Sequence, residues 1–183
     1  MIDKDKETIK KIKSDFDMNG YTLISQKFLG TKNIIQPLQE IVDNLFDKEG
    51  WKGGWEGKEE YMQENKYLNF GAKRLSNLIN KSDLFLKLIN NEKILEFTKF
   101  VFEDNFHIGG LDVREPMKGF GQQALHQDWF PRQHPKDKIK NMIGFFFLDN
   151  ADRDNGTLRV IPATHKLTGW VSEHLENTDT NLP

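Results

Sequence analysis

Cysteine is absent from this chain of 183 residues. Its absence excludes disulfides and thiolate metal sites. Long apolar runs are missing too: none approaches the roughly 18 residues of a transmembrane helix. The opening Met-Ile-Asp-Lys-Asp-Lys-Glu has no apolar signal-peptide core. An excess of one charge sign is also lacking. Against 26 basic residues stand 28 acidic ones, for a formal net charge of -2. That balance argues against nucleic acid or an anionic membrane as partner. Arginine is scarce, with 5 residues among 21 lysines, so each one is worth locating. What is present, 37% hydrophobic and 30% charged residues, fits a soluble globular protein. One domain over 1–183 is expected, long enough for a sizeable core, with the cytoplasm as its compartment. Composition leaves the oligomeric state open.

Residues 1–104 read mainly as helix. Ile9, Ile12 and Phe16 recur at helical spacing, and Asn19-Gly20 breaks the segment. Tyr21–Ile24 reads as a short strand. Ile34, Ile35, Leu38, Ile41, Val42, Leu45 and Phe46 mark one apolar helix face, which places Pro37 in a first turn. Residues 49–66, with Trp51, Trp55 and four glycines, read as a long loop. Leu75–Lys81 and Glu92–Phe102 read as helices, as does a segment after Asp83, the expected cap.

The pattern changes near Asn105. Strand patterns occupy Phe106–Arg114, Gly121–Asp128, Asn141–Leu148 and Thr157–Ile161, separated by turn-forming Pro, Gly, Asn and Asp. Helices first and strands afterwards give an α+β class.

One constellation carries chemistry. His126 and Asp128 stand two apart in a strand pattern, so both side chains point to the same face. A histidine and a carboxylate so placed are two parts of the 2-His-1-carboxylate triad that holds non-haem Fe(II). With 5 histidines and 15 aspartates, roughly 0.4 such pairs arise by chance in a chain of this length. The pair therefore needs its context.

That context is Leu125-His-Gln-Asp-Trp129, then Ile143–Asn150 ending in Leu-Asp-Asn, then Asn155-Gly-Thr-Leu-Arg-Val-Ile-Pro-Ala-Thr-His-Lys166. Together these resemble the phytanoyl-CoA dioxygenase family of Fe(II)- and 2-oxoglutarate-dependent oxygenases. Residues about 105–170 carry the resemblance, and Asp17–Ile24 is similar to the family's N-terminal opening.

The resemblance implies a double-stranded β-helix, the cupin-like jelly roll. Residues 1–104 would be helical support packed on the sheet, and 105–183 the strands. It implies a dioxygenase that hydroxylates a small molecule, with Fe(II), 2-oxoglutarate and O2, and with His126 and Asp128 as the first two iron ligands. Arginine suits the far carboxylate of 2-oxoglutarate because its planar fork grips both oxygens. Arg114 is the candidate, with Arg159 beside it. Gln122, Gln123 and Asn141 are candidate hydrogen-bond partners for the cosubstrate. Trp129, with Phe130, would wall the substrate pocket, and the Trp51–Trp55 loop would act as a lid.

The chain departs from the family at two places. Pro162-Ala-Thr-His165 replaces Pro-Gly-Ser-His. The distal iron-binding histidine and the 2-oxoglutarate arginine of the family lie downstream of this motif, and the stretch to Pro183 supplies neither, so the jelly roll is expected to be incomplete at its C-terminus. The alternative is a catalytically inactive or truncated jelly-roll protein that binds metal or ligand without the third iron ligand. His165 is expected to hold a loop, His174 and His134 to be solvated, and His107 to start a strand.

Overall fold

Ile12 and Phe16 bury one face of helix α1 (Ile2–Asn19). Gly20 stops it at φ +80°, donating its N–H to the Phe16 carbonyl at 2.7 Å. Glycine takes this left-handed stop without steric cost. The computed structural model describes residues 2–49, 72–117, 121 and 123–176. Short α2 (Gln26–Leu29) is capped by the Ser25 hydroxyl, which accepts from the Phe28 N–H at 3.2 Å. Helix α3 (Lys32–Glu49) buries Leu38, Val42 and Phe46, the face that periodicity marks. Pro37 sits in its second turn rather than the first, so the bond to the Asn33 carbonyl is lost.

Ala72–Leu75 is strand β1, overlapping at Leu75 the segment that reads as helix; of the latter only Leu78–Asn80 turns, as one 3-10 turn. Pairing decides the matter. β1 finds an antiparallel partner in β2 (Val113–Pro116), with Ala72 opposite Pro116 and Leu75 opposite Val113. Lys73 and Glu115 add a cross-strand ion pair at 2.9 Å. The cap of α4 (Asp83–Ile89) is Ser82, one residue before the expected Asp83; its hydroxyl accepts from the Leu84 N–H. Asn91 caps α5 (Glu92–Phe102), and its side-chain amide also donates to the Leu29 carbonyl at 2.8 Å, tying α2 to α5.

Two apolar clusters result. Leu38, Val42 and Phe46 of α3 pack with Leu75, Leu78, Phe85 and Leu88. Ile12 and Phe16 of α1 pack with Phe97 and Val101 of α5, where the Phe16 and Phe97 rings meet edge-on at 5.3 Å.

The C-terminal half departs from expectation. Among the described residues the only sheet is β1–β2. Of Phe106–Arg114 only Val113 and Arg114 join it, while Gly121–Asp128, Asn141–Leu148, Thr157–Ile161 and Tyr21–Ile24 form no ladder. The α+β class therefore stands here as helices plus one small sheet, and the described residues do not build a jelly roll. Alternating polarity marks the two faces of a strand, but a ladder also needs a second backbone about 4.8 Å away. Residues 139–148 instead meet the helical clusters. Ile139 and Met142 pack on the α1–α5 cluster, and Phe146 and Leu148 on the other. Gln39 holds the end of this segment, donating to the Leu148 carbonyl at 2.9 Å and to the Asp149 carboxylate at 2.8 Å. Ile143, Phe145 and Phe147 stay exposed. The expected Trp51–Trp55 lid lies outside the described residues. No described helix is long and apolar enough to cross a membrane.

Leu38 has no exposed surface. Leu38→Ala should cost about 2–5 kcal/mol, seen as a lower urea midpoint at unchanged slope. A loss under about 1 kcal/mol would show that the α3 cluster is not tightly packed.

Candidate metal centre

The pair singled out by spacing is brought together. His126 Nε2 lies 3.4 Å from Asp128 Oδ1, and the two side chains are 46% and 53% exposed. That distance is long for a hydrogen bond and suits two donors converging on one ion. His126 Nδ1 lies 2.6 Å from the Ala124 carbonyl. A carbonyl can only accept, so we assign the proton to Nδ1. Nε2 then carries a bare lone pair toward Asp128. Metal-binding histidines are oriented in this way, by donating the other ring N–H to a carbonyl or carboxylate. The local fold fits a metal to that extent. Among the described residues, no third His, Cys, Asp or Glu joins the pair to make a metal-holding group.

The other histidines are engaged elsewhere or stand apart. His165 Nε2 meets the Asp17 carbonyl at 3.2 Å. His174 Nε2 meets the Thr168 carbonyl at 2.5 Å. His134 Nδ1 accepts from the Lys136 N–H at 3.1 Å. His107 is exposed.

The candidate arginines brace the approach to the pair. Arg114 Nη2 donates to the Gly121 carbonyl at 2.5 Å, and Arg159 Nη2 reaches the Gln123 carbonyl at 3.5 Å. Both guanidinium groups thus touch the backbone leading into His126. Gln123 meets Arg159 through that carbonyl and is half-buried. Asn141 is exposed, and no contact joins it to the pair among the described residues. Gln122 lies outside the described residues. Trp129 and Phe130 are exposed beside the pair, with rings 6.1 Å apart, and Trp170 extends the row at 6.3 Å from Phe130. Trp170 was not legible as a neighbour, because 40 positions separate it from Phe130.

His165 does hold a loop. Its ring lies 6.4 Å from that of Phe16, and the Ala163 N–H donates to the Asn19 carbonyl at 2.7 Å. A Cβ at position 20 would come within 2.5 Å of His165 Nδ1, so only glycine fits there. These contacts fasten residues 163–165 to the end of α1.

The carbonyl partner puts the proton of His165 on Nε2, and Nδ1 is buried without a partner. Burial holds the pKa of this ring below the ordinary histidine value. Lys166 and Arg132 push the same way, while the Asp17 carbonyl and carboxylate oppose. The unfolded chain therefore binds a proton at this site more readily than the fold does. Stability from the site is complete above the unfolded value of about 6.5 and is lost as pH falls below it. The urea midpoint should drop between about pH 7.5 and pH 5.5, and His165→Gln should shrink the drop. An equal drop in the variant would remove His165 as its source.

A histidine and an aspartate two positions apart are donors of the kind used by Fe(II)- and 2-oxoglutarate-dependent oxygenases, and the chain falls in that group. More narrowly, it belongs to the phytanoyl-CoA dioxygenase (PhyH) family, whose model matches residues 16–179. No curated protein and no solved structure matches the chain.

Proposed function

We propose that this protein is an Fe(II)- and 2-oxoglutarate-dependent dioxygenase that hydroxylates a small molecule, with His126 and Asp128 as two of the protein donors to the metal. The observation that carries the proposal is the converging pair in a chain of this family: Nε2 faces Oδ1 at 3.4 Å while Ala124 holds Nδ1. When bound, Fe(II), 2-oxoglutarate and O2 would supply the oxidising chemistry.

The chain's own residues would bind and orient. Ala124 fixes the ring and its tautomer, so Nε2 presents its lone pair without reorganisation. Asp128 supplies negative charge beside it, which favours a cation. Arg114 and Arg159 hold the backbone at Gly121 and Gln123, and so set where His126 stands. Through the same position they serve as the cationic side of a cosubstrate site, with Gln123 and Asn141 as hydrogen-bond partners. Trp129 offers an apolar wall to substrate, continued by Phe130 and Trp170. The jelly roll that the family implies belongs to this reading, as does a cytoplasmic enzyme without nucleic-acid or membrane partners.

Anaerobic Fe(II) titration of the whole chain, with 2-oxoglutarate present, tests the proposal. His126→Ala and Asp128→Ala should each weaken Fe(II) binding by more than about 100-fold, beyond the loss typical of a supporting partner. Unchanged Fe(II) affinity in both variants would overturn it.

A further inference from the structure

A second site lies away from the metal pair. A cavity of about 340 Å³ opens between the ends of α1 and α5 and the loop 132–139, and neither His126 nor Asp128 lines it. Its size falls at the lower end of small-molecule pockets. We propose that it binds a zwitterionic small molecule with an apolar body, of the class of aromatic or branched-chain α-amino acids.

The charges divide by wall. The helical wall brings Asp17 from the last turn of α1 and Glu103 from the end of α5. Both acids stand at helix C-termini, where the helix dipole adds to their negative potential. The loop wall brings Arg132, Lys136 and Lys138. Among the described residues no ion pair joins Lys136 or Lys138 to either acid. The opposite charges therefore face one cavity without neutralising each other in contact. Between them Phe100, Phe102 and Ile139 are partly exposed and offer an apolar floor, with Phe16 and Val101 buried beside them.

A lone carboxylate would meet the cations but also the acids and the helix ends. A lone amine would meet the reverse. A molecule with an ammonium and a carboxylate satisfies both walls, and its side chain covers the apolar floor.

The cationic wall is also preorganised. The Asp137 carboxylate accepts from the Gln133 and His134 N–H groups at 3.0 and 2.9 Å. The Arg132 carbonyl accepts from the Gly169 N–H at 3.2 Å. A loop held in this way loses little freedom on binding.

The test uses the full metal-free chain and amide NMR titrations. L-phenylalanine should shift resonances of 16–17, 100–103 and 132–139. Phenylethylamine, which lacks the carboxylate, and 3-phenylpropanoate, which lacks the ammonium, should each bind about tenfold more weakly, for the loss of one charge-assisted contact. Glu103→Gln should weaken L-phenylalanine and spare 3-phenylpropanoate. Lys136→Gln with Lys138→Gln should weaken L-phenylalanine and spare phenylethylamine. Far-UV circular dichroism checks that the variants fold. No shifts with L-phenylalanine, equal binding of either one-charge analogue, or shifts centred on 126–128 would overturn the proposal. The site is independent of iron, so its failure leaves the metal reading untouched.

Discussion

Four side chains on one segment pack the stretch after the metal pair onto the helical first half. Ile139 and Met142 reach the α1–α5 cluster, and Phe146 and Leu148 reach the α3 cluster. The buried members of each cluster come from the helices, β1 and the 3-10 turn, and none comes from the segment. The segment, by contrast, has no ladder of its own among the described residues. Its order is borrowed from the helices through apolar contact and through Gln39, which grips its end. Each of the four apolar side chains is only partly buried, so each gives less than the roughly 1.5–3 kcal/mol of full burial. Because the metal pair and the charged loop 132–139 lie just before the segment, both depend on the same anchorage.

Two further ties act on the site region from the other side. Residues 163–165 sit on the end of α1 through the Ala163 N–H and the His165 ring, and the Gly169 N–H binds the Arg132 carbonyl. The chain is therefore held on both sides of the long stretch that carries Arg159 and Asn155. Arg114 reaches from β2 to Gly121, which links the small sheet to the approach to His126. Among the described residues, the site region is placed by single hydrogen bonds and a few apolar side chains, without a sheet ladder.

Sequence made the helices legible because their signals are local. The apolar face of α3 and the stop at Gly20 follow from neighbours within a turn or two. Where local signals erred, they erred by little: Ser82 caps in place of Asp83, and Pro37 lies one turn deeper. The strands were less legible because pairing is not local. Ala72–Leu75 became a strand through a partner about 40 residues away, while Asn141–Leu148 kept part of a strand's alternation without a ladder. For the site, spacing singled out His126 and Asp128, but the same-face argument assumed a strand. The stretch bends at Leu125 and Asp128 and forms no ladder among the described residues, so the 3.4 Å approach is a local contact across a bend. The Ala124 clamp, the Trp170 neighbour and the divided charge around loop 132–139 were hidden because each rests on a carbonyl or a contact that no residue pattern encodes.

The account turns on the claim that the His126 imidazole and the Asp128 carboxylate share one ion. An experimental structure of the protein grown anaerobically with Mn(II) in place of Fe(II) addresses it most directly. The account predicts the ion in contact with His126 Nε2 and an Asp128 oxygen, with Nδ1 still held by the Ala124 carbonyl. An ion bound elsewhere, or the two side chains turned to opposite faces, would contradict it.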